Sequence, residues 1–162
     1  KTVLVNLMVP LRLMHLFIPD MVKKGQGVVF NTASVQAFQP TPYHSVYCAT
    51  KAGIQMLSEG IRAELTGTGV SVCTLNPPYT NTAMLRTKGF PKSIRFYKIS
   101  GIKDPAWIAK KALGAFEKDK FMYVPGLWAK FIHLVVIRFS PRRLVDLFTY
   151  HLLKGTGKGG VY

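Results

Sequence analysis

The sequence predicts one α/β domain built around a parallel sheet, and two observations indicate this. Short runs of β-branched and aromatic residues, typical of buried strands, occur at 27–33, 70–75 and 121–124. Longer segments with helical periodicity lie before and between them. Because parallel strands need long crossover connections, this alternation favours a parallel sheet covered by helices. The chain has 162 residues, of which 48% are hydrophobic, enough for a core of its own.

The first helix is predicted over residues 3–22. Apolar residues crowd this segment, and Lys23, Lys24 and Gly25 form a helix-end signal. Pro10 removes a backbone donor, so we expect it to kink the helix.

Two further helices are predicted between the strands. One covers 45–65 and ends before Gly67 and Gly69. The other covers 105–116, with Asp104 as its N-cap and proline at its first position. The buried side of the 45–65 helix is predicted to carry Ala49, Ala52, Ile54, Leu57, Ile61 and Leu65.

The last part of the chain, 127–153, predicts two apolar helices around Ser140 and Pro141. Lys130, His133 and Arg138 interrupt its most apolar window, which is too short for an ordinary membrane span. An apolar helix with basic edges and a tryptophan suits a membrane surface. A subunit interface or a cover over a substrate pocket explains the same pattern equally well.

The charge balance narrows the class of partner. There are 22 Lys and Arg against 7 Asp and Glu, a net charge of +15, which favours anionic partners. Neither zinc-finger spacing nor a long basic run is present, so the sequence predicts no nucleic-acid partner. Cys48 and Cys73 form no CxxC pair, which indicates a reducing, cytoplasmic compartment. The four histidines lack metal-ligand spacing, so no metal site is predicted and they are assigned structural roles.

Tyr47 and Lys51 form the sharpest chemical pattern. Four residues apart on a helix, they share one face. A nearby cation stabilises a phenolate and lowers the tyrosine pKa, which lets tyrosine exchange a proton near neutral pH. The alternative is a solvated pair on a surface helix.

Ser34 follows a predicted strand, and the helix of Tyr47 comes next in the chain. The carboxyl ends of parallel strands border the ligand crevice of an α/β sheet. Ser34 could therefore hydrogen-bond a substrate carbonyl while Tyr47 moves the proton. Its alternative role is a turn or a helix cap.

Three motifs in order, NTAS at 31–34, YCATK at 47–51 and LNPPYTNT at 75–82, resemble the second half of the short-chain dehydrogenases/reductases. The likeness extends over about 3–124. It implies the C-terminal half of a Rossmann-type parallel sheet with flanking helices, the first βαβ units being absent. It also implies an NAD(P)-dependent oxidoreductase that moves a hydride between nicotinamide and a carbonyl or secondary alcohol.

The resemblance implies a role for each matching residue. Tyr47 would be the general acid/base, and Lys51 would bind the nicotinamide ribose and lower the Tyr47 pKa. Ser34 would orient and polarise the carbonyl. Asn6 matches an asparagine that supports a proton-relay water, although an ordinary polar residue within a helix explains it equally well.

The loop after the second strand matches the family pattern at one position and differs from it at the next. Pro77 matches, but Pro78 replaces the usual glycine, which changes the expected path of the loop. Thr80 and Thr82 occupy positions expected to touch the nicotinamide carboxamide or phosphate. The cofactor role is favoured for Thr82 over that of an ordinary loop residue.

The family's glycine-rich phosphate loop has no counterpart before Asn6. Gly155 to Gly160 are glycine-rich, but no strand precedes them. Since the chain opens at Lys1 within an apolar pattern, we expect further residues upstream. The residue that separates NAD from NADP is not in this sequence, and NADP is slightly favoured. The expected organisation is a catalytic half at 1–125, an apolar helical tail at 126–154 and a flexible terminus at 155–162.

The segment after Pro77 corresponds to a substrate lid and contains several apolar residues, namely Met84, Leu85, Phe90, Ile94, Phe96, Tyr97 and Ile99. An apolar lid favours a small apolar, lipid-like ketone or alcohol, although packing in the chain's own core explains the same residues. A homo-oligomer and a membrane surface are the other expected partners. The alternative function is a truncated, inactive chain that acts as an interaction or membrane-surface module.

Overall fold

The computed structural model describes residues 1–86 and 101–153. It contains one three-stranded parallel sheet with the order β1-β2-β3, formed by Gly27–Thr32 (β1), Val70–Leu75 (β2) and Met122–Tyr123 (β3). The principal helices are Val9–Lys24 (α1), Ser45–Glu64 (α2), Pro105–Phe116 (α3), Leu127–Phe131 (α4), Ile137–Phe139 (α5) and Arg142–Leu153 (α6). The predicted parallel α/β class is confirmed.

The sheet is regular where its two long strands pair. Gly27 pairs with Val70 and Thr32 pairs with Leu75, so β1 and β2 are in step over their whole length. The third strand is shorter than the predicted 121–124 run, because only Met122 and Tyr123 pair with β2. The parallel register brings the carboxyl ends of all three strands to one edge of the sheet.

A π-helical turn, Leu4–Met8, leads directly into α1. It ends at Met8, shortly before Pro10, which has no N–H to continue the normal hydrogen-bond ladder; the kink expected at Pro10 stays a prediction. A second proline, Pro19, lies inside α1. The helix ends at Gly25, whose φ of 66° is the left-handed conformation usual for a glycine at this position.

The main core lies between α1, α2 and the sheet. Its buried members are Met14, Ala33, Ile54, Leu65, Val70 and Val72. Only part of the predicted buried side of α2 is correct: Ile54 and Leu65 are buried, but Ala49 is exposed. Polar Thr50 and Ser58 are buried instead, because hydrogen bonds satisfy both of them.

Two further helical regions complete the described chain. The N-cap of α3 is Asp104, as predicted, and its carboxylate accepts a hydrogen bond from the Trp107 amide at 2.8 Å. The tail helices run through α4, a π-helical stretch at Ile132–Val136 and α5, then turn at Ser140 into α6.

The structure does not describe 87–100 or 154–162. Most of the predicted lid and the predicted flexible terminus therefore lie outside the described residues. Met84 and Leu85 are described and begin that segment, with Met84 largely exposed.

Candidate active site

The candidate site lies where β1 and β2 end. Beyond the last pair of the ladder, the Ala33 amide donates to the Leu75 carbonyl at 2.8 Å. The Val35 amide then donates to the Pro77 carbonyl at 3.3 Å. These bonds hold the segments after the two strands side by side, with Ser34 between them.

Ser34 is buried and extended, and it caps the short 3₁₀ turn Val35–Ala37. Its Oγ accepts a hydrogen bond from the Gln36 amide at 3.2 Å. The cap and turn role that the sequence allowed is therefore present. The same hydroxyl also hydrogen-bonds the Tyr47 side chain, so capping and contact with the phenol coexist.

Tyr47 and Lys51 share one face of α2, and the Lys51 Nζ lies 5.7 Å from the centre of the Tyr47 ring. Lys51 Nζ also donates to the Thr32 carbonyl at 2.8 Å, which anchors the ammonium at the end of β1. Both side chains are half-buried. The structure thus brings Ser34, Tyr47 and Lys51 together on one side of the sheet edge.

The electrostatics of this group differ from the expectation drawn from the sequence. Burial raises the pKa of Tyr47, and the Ser34 hydrogen bond offsets only part of that increase. Burial lowers the pKa of Lys51. The Tyr47 pKa is therefore raised where the sequence suggested a decrease, because the loss of hydration outweighs the Ser34 hydrogen bond. Tyr47 is a neutral phenol, a proton donor, at neutral pH.

A polar cluster beside Ser34 was missed by the sequence analysis. Gln36 is buried, and its Nε2 donates to the Tyr79 hydroxyl at 2.9 Å and lies 3.3 Å from His44 Nδ1. The Cys48 thiol faces the Gln36 Oε1 at 3.9 Å. Burial lowers the pKa of His44, which favours the neutral ring with an acceptor nitrogen. In the sequence, only proximity along the chain could have indicated this cluster, because Gln36 is two residues from Ser34 and His44 is three residues from Tyr47.

Asn6 lies further from the phenol. Its Nδ2 donates to Thr50 Oγ1 at 3.3 Å, and Thr50 is adjacent to Lys51 in α2. The contact ties the beginning of the first helix to the helix that carries the Tyr47–Lys51 pair. In this structure Asn6 is thus a partly buried side chain paired across two helices.

The two threonines that were predicted to contact the cofactor have different surroundings in the loop that follows β2. Thr80 Oγ1 donates to the Pro78 carbonyl at 2.8 Å, and Thr80 forms a parallel bridge with Lys103. Thr80 therefore shapes the loop. Thr82 is half-buried and begins the turn that leads into Ala83–Arg86.

A small cavity of about 10 Å³ lies next to Gln36, between the loop before α2 and the tail helices. Three buried polar atoms on its lining residues, Gln39 Oε1, Thr41 Oγ1 and His133 Nδ1, lack a partner in the structure. The volume is close to that of a single water. Burial lowers the pKa of His133 to about 4, so its ring is neutral.

Elsewhere in the described chain, a larger open groove of about 570 Å³ lies at the opposite, amino end of the strands. It contains the Arg62–Asp119 ion pair, with a separation of 2.8 Å. No group of three or more potential metal-ligating side chains occurs within 1–86 and 101–153. Among the described residues, the side chains suited to proton transfer therefore lie at the carboxyl ends of the strands.

A family model and curated relatives both match this chain. The family model described as short chain dehydrogenase matches residues 1–91. A ketoacyl reductase, HetN, from a Nostoc species is 30% identical over 112 residues, which cover 69% of this chain and 38% of HetN. The very-long-chain 3-oxoacyl-CoA reductase of Anas platyrhynchos is 32% identical over 84 residues, 52% of this chain and 27% of that enzyme.

Among solved structures, a short chain dehydrogenase from Burkholderia cenocepacia in complex with NADP superposes with a TM-score of 0.70 at 25% identity. The match covers 92% of this chain and 58% of that protein. The chain thus spans less than half of the length of the two curated relatives described above.

Proposed function

Since the chain belongs to the short chain dehydrogenase family, as its sequence motifs predicted, we propose that the whole protein is an NAD(P)-dependent oxidoreductase. It moves a hydride between nicotinamide and a carbonyl or secondary alcohol. One observation carries the proposal: a phenol, a serine hydroxyl and an ammonium meet where two parallel strands end, through the Ser34–Tyr47 hydrogen bond and the 5.7 Å Lys51–Tyr47 approach. Such an arrangement favours an enzyme over a non-catalytic interaction module.

In the reducing direction, the substrate oxygen accepts hydrogen bonds from Ser34 and Tyr47. A nicotinamide bound at this edge would supply the hydride that the carbonyl carbon receives. The oxygen takes its proton from Tyr47, giving a secondary alcohol. The raised pKa of Tyr47 suits this step, because the phenol holds its proton until negative charge develops on the oxygen.

The residues present fit the nicotinamide end of a cofactor. Lys51 Nζ has three N–H bonds, of which the Thr32 carbonyl accepts one, so two can reach ribose hydroxyls. Thr82 and the Pro77 loop border the same edge and are proposed to contact the nicotinamide, whereas Thr80 shapes the loop. Asn6 is proposed to support a proton-relay water beside Lys51. The sequence before Asn6 contains no glycine-rich phosphate loop.

NADP is proposed as the cofactor, supported by the net charge of +15 and by the NADP complex of the superposed Burkholderia protein. For the substrate we propose an apolar, lipid-like ketone or alcohol. The names of the ketoacyl reductase and the very-long-chain 3-oxoacyl-CoA reductase support this class. The cytoplasm is proposed as the compartment, because both cysteines are free and buried.

A homo-oligomer is proposed through α1. Its inner side packs on the core through Met14, Ile18 and Met21, while Leu16 and Phe17 are exposed. The helix Leu4–Lys24 also has the length and composition of a membrane span. Packing of its inner side against the sheet favours the role of a sheet-covering helix with an unpaired outer face.

The test is Tyr47→Phe in the complete protein, assayed by NADPH oxidation with a panel of apolar ketones. Loss of the proton donor should reduce kcat by about 10²–10⁴-fold and leave NADPH affinity nearly unchanged. Tyr43→Phe, at an exposed tyrosine in the preceding loop, is the matched control and should retain full activity. A Tyr47→Phe protein that turns over at the wild-type rate would refute the proposal.

A further inference from the structure

The tail helices present a large apolar surface to solvent. We call it the tail surface and define it by Leu127, Trp128, Phe131, Phe139, Leu144 and Phe148, which are 50% to 88% exposed. Isolated exposed apolar residues are ordinary, but six large side chains on neighbouring helices need an explanation.

The tail surface is the outer side of helices whose inner side is anchored. Ala129 belongs to a buried cluster with Val35 and Val124, and Leu134 packs against that cluster. In α6, Val145 and Thr149 are buried. The helices therefore have two apolar faces, of which the fold uses one.

Exposed basic residues alternate along the sequence with the residues of the tail surface. Lys130, Arg138, Arg142 and Arg143 are exposed, and Asp146 is the only acidic residue between 127 and 153. Aromatic side chains next to lysine and arginine are the pattern of a helix that lies in a membrane interface, where headgroups neutralise the charge and rings enter the acyl boundary.

We propose that the tail surface binds the surface of an anionic lipid bilayer. The helices lie on the bilayer and do not cross it, because α6 has 12 residues and a span needs about 20. A second copy of the chain fits less well. A two-fold contact would bring the basic residues of both tail surfaces into one interface. Anionic headgroups provide the complementary charge instead.

Binding is measured by sedimentation of the purified whole protein with vesicles. Vesicles of equal parts phosphatidylcholine and phosphatidylglycerol should carry the protein down, whereas pure phosphatidylcholine vesicles should not. Added salt should weaken the binding, since the basic residues contribute to it. Failure to bind the anionic vesicles at low salt overturns the proposal.

Insertion is measured by tryptophan fluorescence. In a Trp107→Phe protein, emission from the 58% exposed Trp128 should shift to the blue and become protected from acrylamide when anionic vesicles are added. The Trp128→Phe protein, which reports on Trp107 in α3, should show neither change. Equal shifts for the two tryptophans would contradict docking through the tail.

Two pairs of variants test whether vesicle binding depends on the tail surface itself, and not on any exposed apolar residue or on net charge alone. Phe131→Ser with Phe139→Ser should weaken vesicle binding at least about tenfold, whereas Met56→Ser, at a 74% exposed residue of α2, should not. Arg142→Gln with Arg143→Gln should weaken binding more than Lys110→Gln with Lys111→Gln, which removes the same charge from exposed positions of α3.

Equal losses in both charge variants would show that net charge alone drives binding and would overturn the proposal. So would unchanged binding in the Phe131 and Phe139 double variant. Light scattering on the same proteins tests for contact with a second copy of the chain. If the Phe131 and Phe139 double variant changes the oligomeric mass while its vesicle binding stays as in the wild type, the tail surface binds a second copy and not a bilayer. None of these measurements depends on catalytic activity, so the proposed reaction can fail independently.

Discussion

Among single residues, His133 connects burial most directly to a measurable property. It is 3% exposed and lines the small cavity next to Gln39. The other three histidines are exposed or half-buried. Burial lowers the pKa of His133 from 6.5 to about 4, because the charged ring would lose its hydration.

This lowered pKa predicts an acid-dependent loss of stability. Between about pH 6.5 and 4 the unfolded chain binds a proton at His133 that the folded chain does not, so stability falls as the pH falls through this window. From about pH 7 to about pH 5 the loss should be about 2 kcal/mol. Urea unfolding of the wild type and His133→Gln at both pH values would measure it as the difference between the two proteins.

The matched control for His133 is the exposed His151 of α6. His151→Gln should follow the wild-type pH dependence, since it removes an exposed imidazole and leaves His133 in place. Identical pH dependence of the wild type and His133→Gln would contradict the assignment of His133 as a buried neutral ring.

At the scale of elements, the turn between α2 and β2 depends on a close backbone approach. Gly69 has a φ of 78°, and a Cβ placed on it would lie 1.9 Å from the Gly25 carbonyl oxygen. Gly25 ends α1, so this contact joins the end of one helix to the beginning of the central strand. Gly67 has a similar φ of 82°, but the space around it is open.

These two glycines make a matched pair. Gly67→Ala should cost about 1 kcal/mol through the left-handed φ alone. Gly69→Ala should cost at least about 2 kcal/mol more, because the backbone of Gly25 must also move. Chemical denaturation measures both. Equal losses would show that the approach of Gly69 to Gly25 does not constrain the fold.

At the scale of the whole molecule, the outer face of α1 raises the question of assembly. Leu16 and Phe17 are 64% and 53% exposed on a helix whose other side packs on the sheet. An apolar helix face that stays exposed while the opposite face is buried is typical of a subunit contact.

If α1 forms the proposed contact, Leu16→Glu with Phe17→Glu should lower the mass measured by light scattering, because charge would be buried in the interface. Met56→Glu, at the 74% exposed position of α2, should leave the mass unchanged. A double variant with the wild-type mass would place the subunit contact elsewhere.

Local features of this protein follow from the sequence alone. The strand at 70–75 and the helix begun by Asp104 and Pro105 were predicted at their observed residues, because alternation, caps and prolines act over a few positions. The placement of Tyr47 and Lys51 on one face required only the helical repeat. The motifs around them indicated the family.

Only the tertiary structure decided what depends on contacts between distant residues. It placed Gln36 against Tyr79, exposed Ala49 and buried Thr50, and raised the pKa of Tyr47 where the sequence suggested a decrease. Burial is set by everything that packs around a group, which no local pattern contains. For the same reason, the sequence suggested a homo-oligomer and a membrane surface, but only the packed helices showed which faces of α1 and the tail stay exposed for such contacts.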